Sequence, residues 1–200
     1  MSAPSLLRTL SEDLRTVVER DPSVHTRREA LLHPALPAIW THRVAHRMHR
    51  RGWRVSARLA MLLARAVTGT EIHPGAVLGR RVFIDHGAAV VIGETAVVGD
   101  DVTLYHQVTL GAIGFHRDNL RAVGERRHPV VGAGVVLGAN ATVLGPVTVG
   151  DGAVIGAQAL VIRDVPAGAR ALAPAAVLRS RQEALQAIDL LRDIASAGSW

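Results

Sequence analysis

A large aliphatic residue recurs at every sixth position through most of the second half of this 200-residue chain. The series runs Ile72, Leu78, Ile84 and then, after a slip of two residues, Ile92, Val98, Leu104 and Leu110. After an interruption it resumes as Val131, Leu137, Val143, Val149, Ile155 and Val161. A second, smaller apolar series follows four positions behind, from Ala76, Val82 and Ala88 to Ala153, Ala159 and Val165. Neither a 3.6-residue helical period nor the alternation of a half-buried strand fits this spacing. Each six-residue unit reads as a short strand and a corner. The large side chain points inward, and glycines such as Gly79, Gly99, Gly132 and Gly138 stand where the chain turns or packs closely. Three units close a triangular coil, and stacked coils bury continuous aliphatic ladders. The expected fold is mainly β, a parallel β-helix over residues 70–170 with a loop excursion at 111–130.

The flanks do not follow the repeat. Residues 4–20 and 35–67 have helical character, which makes 1–69 an N-terminal α-helical region. In its second stretch Ile39, Trp40, Val44 and Met48 share one stripe, with Pro34 and Pro37 at the start. His42 and His46 have a spacing that a zinc site could use, but no H-E-x-x-H motif accompanies them, and a polar helix face is the expected reading. Residues 171–200 form a tail and a C-terminal helix. There Ser180 and Glu183 make a capping-box pattern ahead of Leu185, Ile188 and Leu191.

Composition narrows the chemistry. No run of eighteen apolar residues and no secretion signal is present, so a soluble, cytoplasmic protein is expected. Without cysteine there is no disulfide framework and no thiolate nucleophile, and a metal site would need His, Asp or Glu. The formal charge is +6, carried on the basic side entirely by arginine, a compositional bias that can also help collect an anionic ligand. Aromatic residues are 3% of the chain and are not interleaved with the arginines, which argues against a nucleic-acid surface.

Breaks in a regular scaffold are where function is expected. One is the segment Ile84 to Ile92, where two extra residues disturb the phase around Asp85 and His86. The other is the excursion from Gly111 to Val130, which carries Arg126, Arg127 and His128. A histidine suits general-base work near neutral pH, and a carboxylate on its other nitrogen would fix the tautomer. Glu71 stands fifteen positions before His86, close to one coil, so stacking near a corner would bring the two together. From the residues alone, a corner residue that bonds a carbonyl is the favoured reading of His86.

The strings E-I-H-P from Glu71, I-D-H-G-A-A-V-V-I-G-E-T-A from Ile84, V-T-L-G-A from Val108 and R-R-H-P from Arg126 resemble the motif set of the serine acetyltransferase family. The likeness covers roughly residues 20–170. It implies a left-handed coil, an exception to the right-handed crossover rule, and acetyl transfer from acetyl-CoA to L-serine. By the same likeness His86 is the base and Glu71 its carboxylate partner. Asp85 and Asp21 hold the amino and hydroxyl end of serine, and Arg127 and His128 meet its carboxylate. Gly111, Ala139 and Ala157 let acetyl-CoA approach in a groove between subunits, with Arg163 near its phosphates. A homotrimer is therefore implied, with paired trimers as an alternative that the short N-terminal region argues against. No metal is expected. Members that bind cysteine synthase often end in isoleucine, whereas this chain ends Ala197-Gly198-Ser199-Trp200, so that partner is not expected. The sequence departs from the family at Gly87-Ala88-Ala89, at Ala112 and in the loop before Arg127. These changes keep another serine-like hydroxy amino acid open as the acceptor. A γ-carbonic-anhydrase-like metalloenzyme, with ligands among His73, His86, His106 and His128, is the more distant reading.

Overall fold

The computed structural model describes residues 5–122, 124–176 and 180. Fourteen short strands, β1 to β14, build three parallel sheets that form the faces of a prism. The first face stacks β1 (Glu71–Ile72), β4 (Val91–Ile92), β7 (Thr109–Gly111), β10 (Thr142–Leu144) and β13 (Leu160–Val161). The second stacks β2 (Val77–Leu78), β5 (Val97–Val98), β8 (Val130–Val131) and β11 (Thr148–Val149). The third stacks β3 (Phe83–Ile84), β6 (Thr103–Leu104), β9 (Val136–Leu137), β12 (Val154–Ile155) and β14 (Arg170–Ala171). In nearly every strand the second residue, the one in the six-residue series, is buried, so the aliphatic ladders fill the prism. Removing one such side chain would cost about 2–5 kcal/mol, because rigid neighbours in the coils above and below cannot collapse into the space.

On the first face Glu71 lies beside Val91, Val91 beside Thr109, Thr109 beside Thr142 and Thr142 beside Leu160, which sets coils of 20, 18, 33 and 18 residues. The two long coils are the two breaks in the repeat. The edge joining the third face to the first carries a ladder of left-handed residues: Gly69 (φ 70°), Ala89 (55°), Gln107 (62°), Asn140 (58°) and Gln158 (62°). The excursion leaves from the edge between the first and second faces. It contains a short helix, α5 (Phe115–Asp118), where Asp118 accepts a hydrogen bond from the Gly114 N–H at 2.9 Å.

Four helices precede the coil: α1 (Leu6–Arg20), α2 (Arg27–Ala30), α3 (Leu36–Arg50) and α4 (Arg54–Thr68). The Ser5 side chain caps α1, a Thr26–Glu29 capping box starts α2, and left-handed Gly69 ends α4. The helical stretch expected over 35–67 consists of two helices, separated at Gly52 (φ 86°). The stripe expected on α3 is also displaced. Val44 is 43% exposed, whereas Ile39, His42 and Arg43 face inward. Arg43 anchors α3 by pairing with buried Asp13 of α1 and donating to the Leu78 and Gly79 carbonyls at 2.7 Å each. Burial pushes the Asp13 carboxyl above its usual range against the pull of Arg43. His42 and His46 do not form a polar outer face. Their ring nitrogens meet the Ala76 and Pro74 carbonyls at 3.1 and 2.9 Å, so they bond helix to coil. Among the described residues no helix is long and apolar enough to cross a membrane. The helix expected after Ser180 lies outside the described residues.

Candidate active site

Ala89 occupies the left-handed corner position, so the extra residues of the first coil bulge between Asp85 and Ala88. His86 (φ 60°) and Gly87 (φ 73°) are both left-handed outside the regular ladder. That conformation costs a non-glycine residue about 1–2 kcal/mol. Only glycine fits at 87, because a Cβ would lie 2.7 Å from Thr70 Oγ1 and 2.9 Å from Ala35 Cβ. Thr70 Oγ1 also donates to the Gly87 carbonyl at 2.7 Å. The pinned bulge throws the His86 ring outward, leaving its side chain 69% exposed. Its Nε2 lies 3.7 Å from Asp85 Oδ2, and its ring meets the edge of His106 at 5.7 Å between centroids.

Asp21 reaches the same place from the other end of the chain. It is the C-cap of α1, whose last residue, Arg20, donates to the Asp101 carbonyl (3.1 Å), Thr103 Oγ1 (2.9 Å) and Asp101 Oδ1 (3.1 Å). Asp21 Oδ1 accepts from the Ser23 hydroxyl at 2.6 Å and the Ser23 N–H at 2.9 Å. The hydroxyl is the main reason its carboxyl sits below the usual range, and the fields of His33 and His86 add to it. Its Oδ2 faces His33 Nε2 at 3.9 Å. Asp21, His33, Asp85 and His86 therefore form one cluster, each within the electrostatic influence of the others. Nothing in the sequence pointed to His33, which belongs to no periodic series; only its contacts reveal it.

Arg127 and His128 lie on another edge. Arg127 Nη2 meets Glu94 Oε2 at 2.6 Å, and the N–H groups of Arg127 and His128 donate to Thr95 Oγ1 at 2.9 and 3.1 Å. The His128 ring lies over Gly93, where a Cβ would fall 2.0 Å from its Cδ2. Burial, then Arg127, depresses the His128 pKa. Nearby His73 is pushed down to about 4, first by burial. Six residues of extended chain separate Ala88 from Glu94, about 20 Å at 3.3 Å each. One chain does not bring Arg127 and His128 to His86.

The expected contact between Glu71 and His86 is not made. The first coil is 20 residues long, so Glu71 stacks beside Val91 rather than under His86. The last turn of α4 supplies Arg65, which holds the Glu71 carboxylate at 3.0 Å with both side chains about half exposed.

Along the edge that bears His86, the corner residues His106, Ala139 and Ala157 stack in one column. The His106 carbonyl accepts from Asn140 at 3.0 Å and the Ala139 carbonyl from Gln158 at 2.9 Å. The N–H groups of all three have no partner within the described residues, so this edge offers small side chains and free donors to an extended amide chain. Gly111 lies on the adjoining first face, and Arg163 is exposed beyond the last of these corners. Among the described residues no three His, Asp or Glu side chains converge as metal ligands.

The bacterial transferase hexapeptide (six repeats) family matches residues 128–163. The serine acetyltransferase of Mycobacterium tuberculosis is 50% identical over 145 residues, covering 72% of this chain and 60% of that protein. The Helicobacter pylori serine acetyltransferase is 48% identical over 141 residues, covering 70% of this chain and 78% of that protein. The crystal structure of Neisseria gonorrhoeae serine acetyltransferase in complex with serine superposes with a TM-score of 0.76 at 34% identity, over 86% of this chain and 68% of that one. That of Brucella abortus in complex with coenzyme A gives 0.77 at 35% identity, over 86% and 66%. Superposition does not map a coil onto its mirror image, so the β-helix shares the left hand of its relatives. With fold, repeat and motif-bearing corner all in agreement, the chain belongs to the serine acetyltransferase family.

Proposed function

We propose that this protein transfers the acetyl group of acetyl-CoA to the hydroxyl of L-serine by direct attack in a ternary complex. The observation that carries this reading is the outward-thrown His86 ring, with Asp85 Oδ2 3.7 Å from its Nε2 and the Asp21 carboxylate within its field. His86 takes the hydroxyl proton as the serine oxygen attacks the thioester carbon. The tetrahedral oxyanion then collapses, the carbon–sulfur bond breaks, and the imidazolium returns its proton to the departing thiolate. Asp85 beside Nε2 favours the imidazolium while it exists. Asp85 and Asp21 hold the substrate ammonium. Exposed ion pairs are worth about 0–1 kcal/mol, so Glu71 leaves Arg65 at little cost when His86 needs a partner. Acetyl-CoA lies along the column of His106, Ala139 and Ala157, with Gly111 beside the arm and Arg163 near its phosphates.

The groups that meet the substrate carboxylate, Arg127 and His128, come from a second copy of the chain, since they lie across the first face from His86. The outward side of α4 supports association: Val55, Leu59, Leu62, Leu63 and Val67 are exposed on it. Three copies around one axis close such a head-to-tail contact. The protein works as a cytoplasmic enzyme of amino-acid biosynthesis, without a metal.

The test is release of CoA thiol from acetyl-CoA with L-serine, D-serine, homoserine and threonine. The highest kcat/KM with L-serine is expected. Turnover with another acceptor alone would keep the chemistry and change the substrate, and no turnover with any would overturn the reading.

A further inference from the structure

We propose that His33 is a positioning residue of the acceptor pocket, whose Nε2–H aims the Asp21 carboxylate at the acceptor. The proposal rests on the acetyl-transfer reading above and adds a residue to the same site.

His33 is 5% exposed, on the inner side of the cluster formed with Asp21, Asp85 and His86. It precedes Pro34 and Ala35, and Ala35 is the residue that packs on Gly87 of the His86 bulge. Its ring lies 5.5 Å from that of Phe83, next to a small apolar cluster of Val17, Ala30, Leu36 and Phe83. Packing alone would be served by an aromatic hydrocarbon there. The two nitrogens give histidine a further use. Nδ1 accepts a hydrogen bond from the Ala35 N–H at 3.4 Å, which leaves the neutral ring its proton on Nε2. Burial, the largest influence, keeps the ring neutral by lowering its pKa, against the pull of Asp21 and Asp85. Nε2–H faces Asp21 Oδ2 at 3.9 Å, beyond a formed hydrogen bond. The opposite oxygen, Oδ1, is already tied to Ser23. Asp21 thus has one fixed oxygen and one poised against a donor with little freedom to move, a contact that tightens when an acceptor ammonium binds beside it. With Nδ1 taken by the Ala35 N–H and Nε2 turned to Asp21, neither ring nitrogen faces the acceptor directly, so His33 acts through Asp21 and not as a second base.

The test compares His33→Phe, which keeps an aromatic ring against Phe83, with His33→Gln, which restores a side-chain N–H donor, alone and in an Asp21→Asn background. Kinetics are run with the acceptor preferred by the wild-type enzyme. His33→Phe is expected to raise the acceptor KM about tenfold or more while the KM for acetyl-CoA stays within about twofold, as loss of a hydrogen bond to a charged group predicts. His33→Gln should recover most of the loss, and His33→Phe should add nothing once Asp21 is Asn. An unchanged acceptor KM in a folded His33→Phe protein overturns the proposal. So does an effect that persists undiminished in the Asp21→Asn background. If His33→Phe lowers the thermal midpoint, His33→Gln and its Asp21→Asn double variant decide by the same coupling. A wild-type enzyme that acetylates none of the four hydroxy amino acids overturns the acetyl-transfer reading and this proposal with it, whereas failure of the proposal alone leaves wild-type turnover intact.

Discussion

At the scale of single residues, the site is made by one conformational exception. His86 takes a left-handed φ outside the regular corner ladder because Gly87, beneath Thr70 and Ala35, has room for no side chain and fixes the bulge. Since the His86 ring is largely exposed, it contributes little packing. His86→Ala is therefore expected to lower kcat by about 10²–10⁴ with the thermal midpoint unchanged or slightly raised, as alanine also loses few contacts; denaturation and steady-state kinetics on the same preparation check both. Asp85 and His86 were legible as residues because the phase slip marks them. Their geometry was not, because the first coil is twenty residues long and moves Glu71 beside Val91. His33 had no local signature at all, since its role arises from contacts with residues 21, 35 and 83, which are distant or irregularly spaced along the chain.

At the scale of elements, the cluster around His86 depends on how α1 ends. Arg20 bonds the corner of the second coil through three hydrogen bonds, and this clamp sets where Asp21 stands. Arg20→Ala is expected to cost about 1–3 kcal/mol of stability and to raise the acceptor KM while sparing that for acetyl-CoA, which lies along a different part of the edge; urea denaturation and two-substrate kinetics measure the two effects. The helices were harder to read than the strands. On α3 the inward face includes His42 and Arg43, polar residues satisfied by coil carbonyls and Asp13, so a stripe drawn from apolar residues alone turned too far toward Val44. Strand assignment escaped this difficulty because each position of the six-residue series is aliphatic, and the series recurs thirteen times over the three ladders.

At the scale of the whole molecule, the proposed site draws His86 and Arg127 from two edges of the prism and hence from two copies of the chain. Mixing His86→Ala and Arg127→Ala subunits is expected to regain activity absent from either variant, up to about one quarter of the wild-type level for random assembly in which each site draws on two copies; recovery after co-refolding checks it, and none would place both residues in one subunit's site. Acid is expected to weaken the fold. Burial lowers His42 to about 3 and His73 to about 4 from 6.5, and depresses His33, His46 and His128 as well. Between those values the unfolded chain binds more protons than the folded one. Their contribution is thus complete above about pH 6.5 and is lost as the pH falls toward 4 and then 3. Asp13, raised by burial, opposes this at the acid end. Urea midpoints at pH 7.5, 5.5 and 4.5 should fall in that order. The coil, its three faces and the location of both breaks follow from a period that needs no knowledge of distant contacts, because each six-residue unit buries its own side chain against identical neighbours. The cluster around His86 does not follow in that way. It depends on where α1 and the segment before α3 dock, and docking is set by contacts between residues far apart in sequence, such as Arg20 with Asp101 and Ala35 with Gly87, which no local pattern encodes.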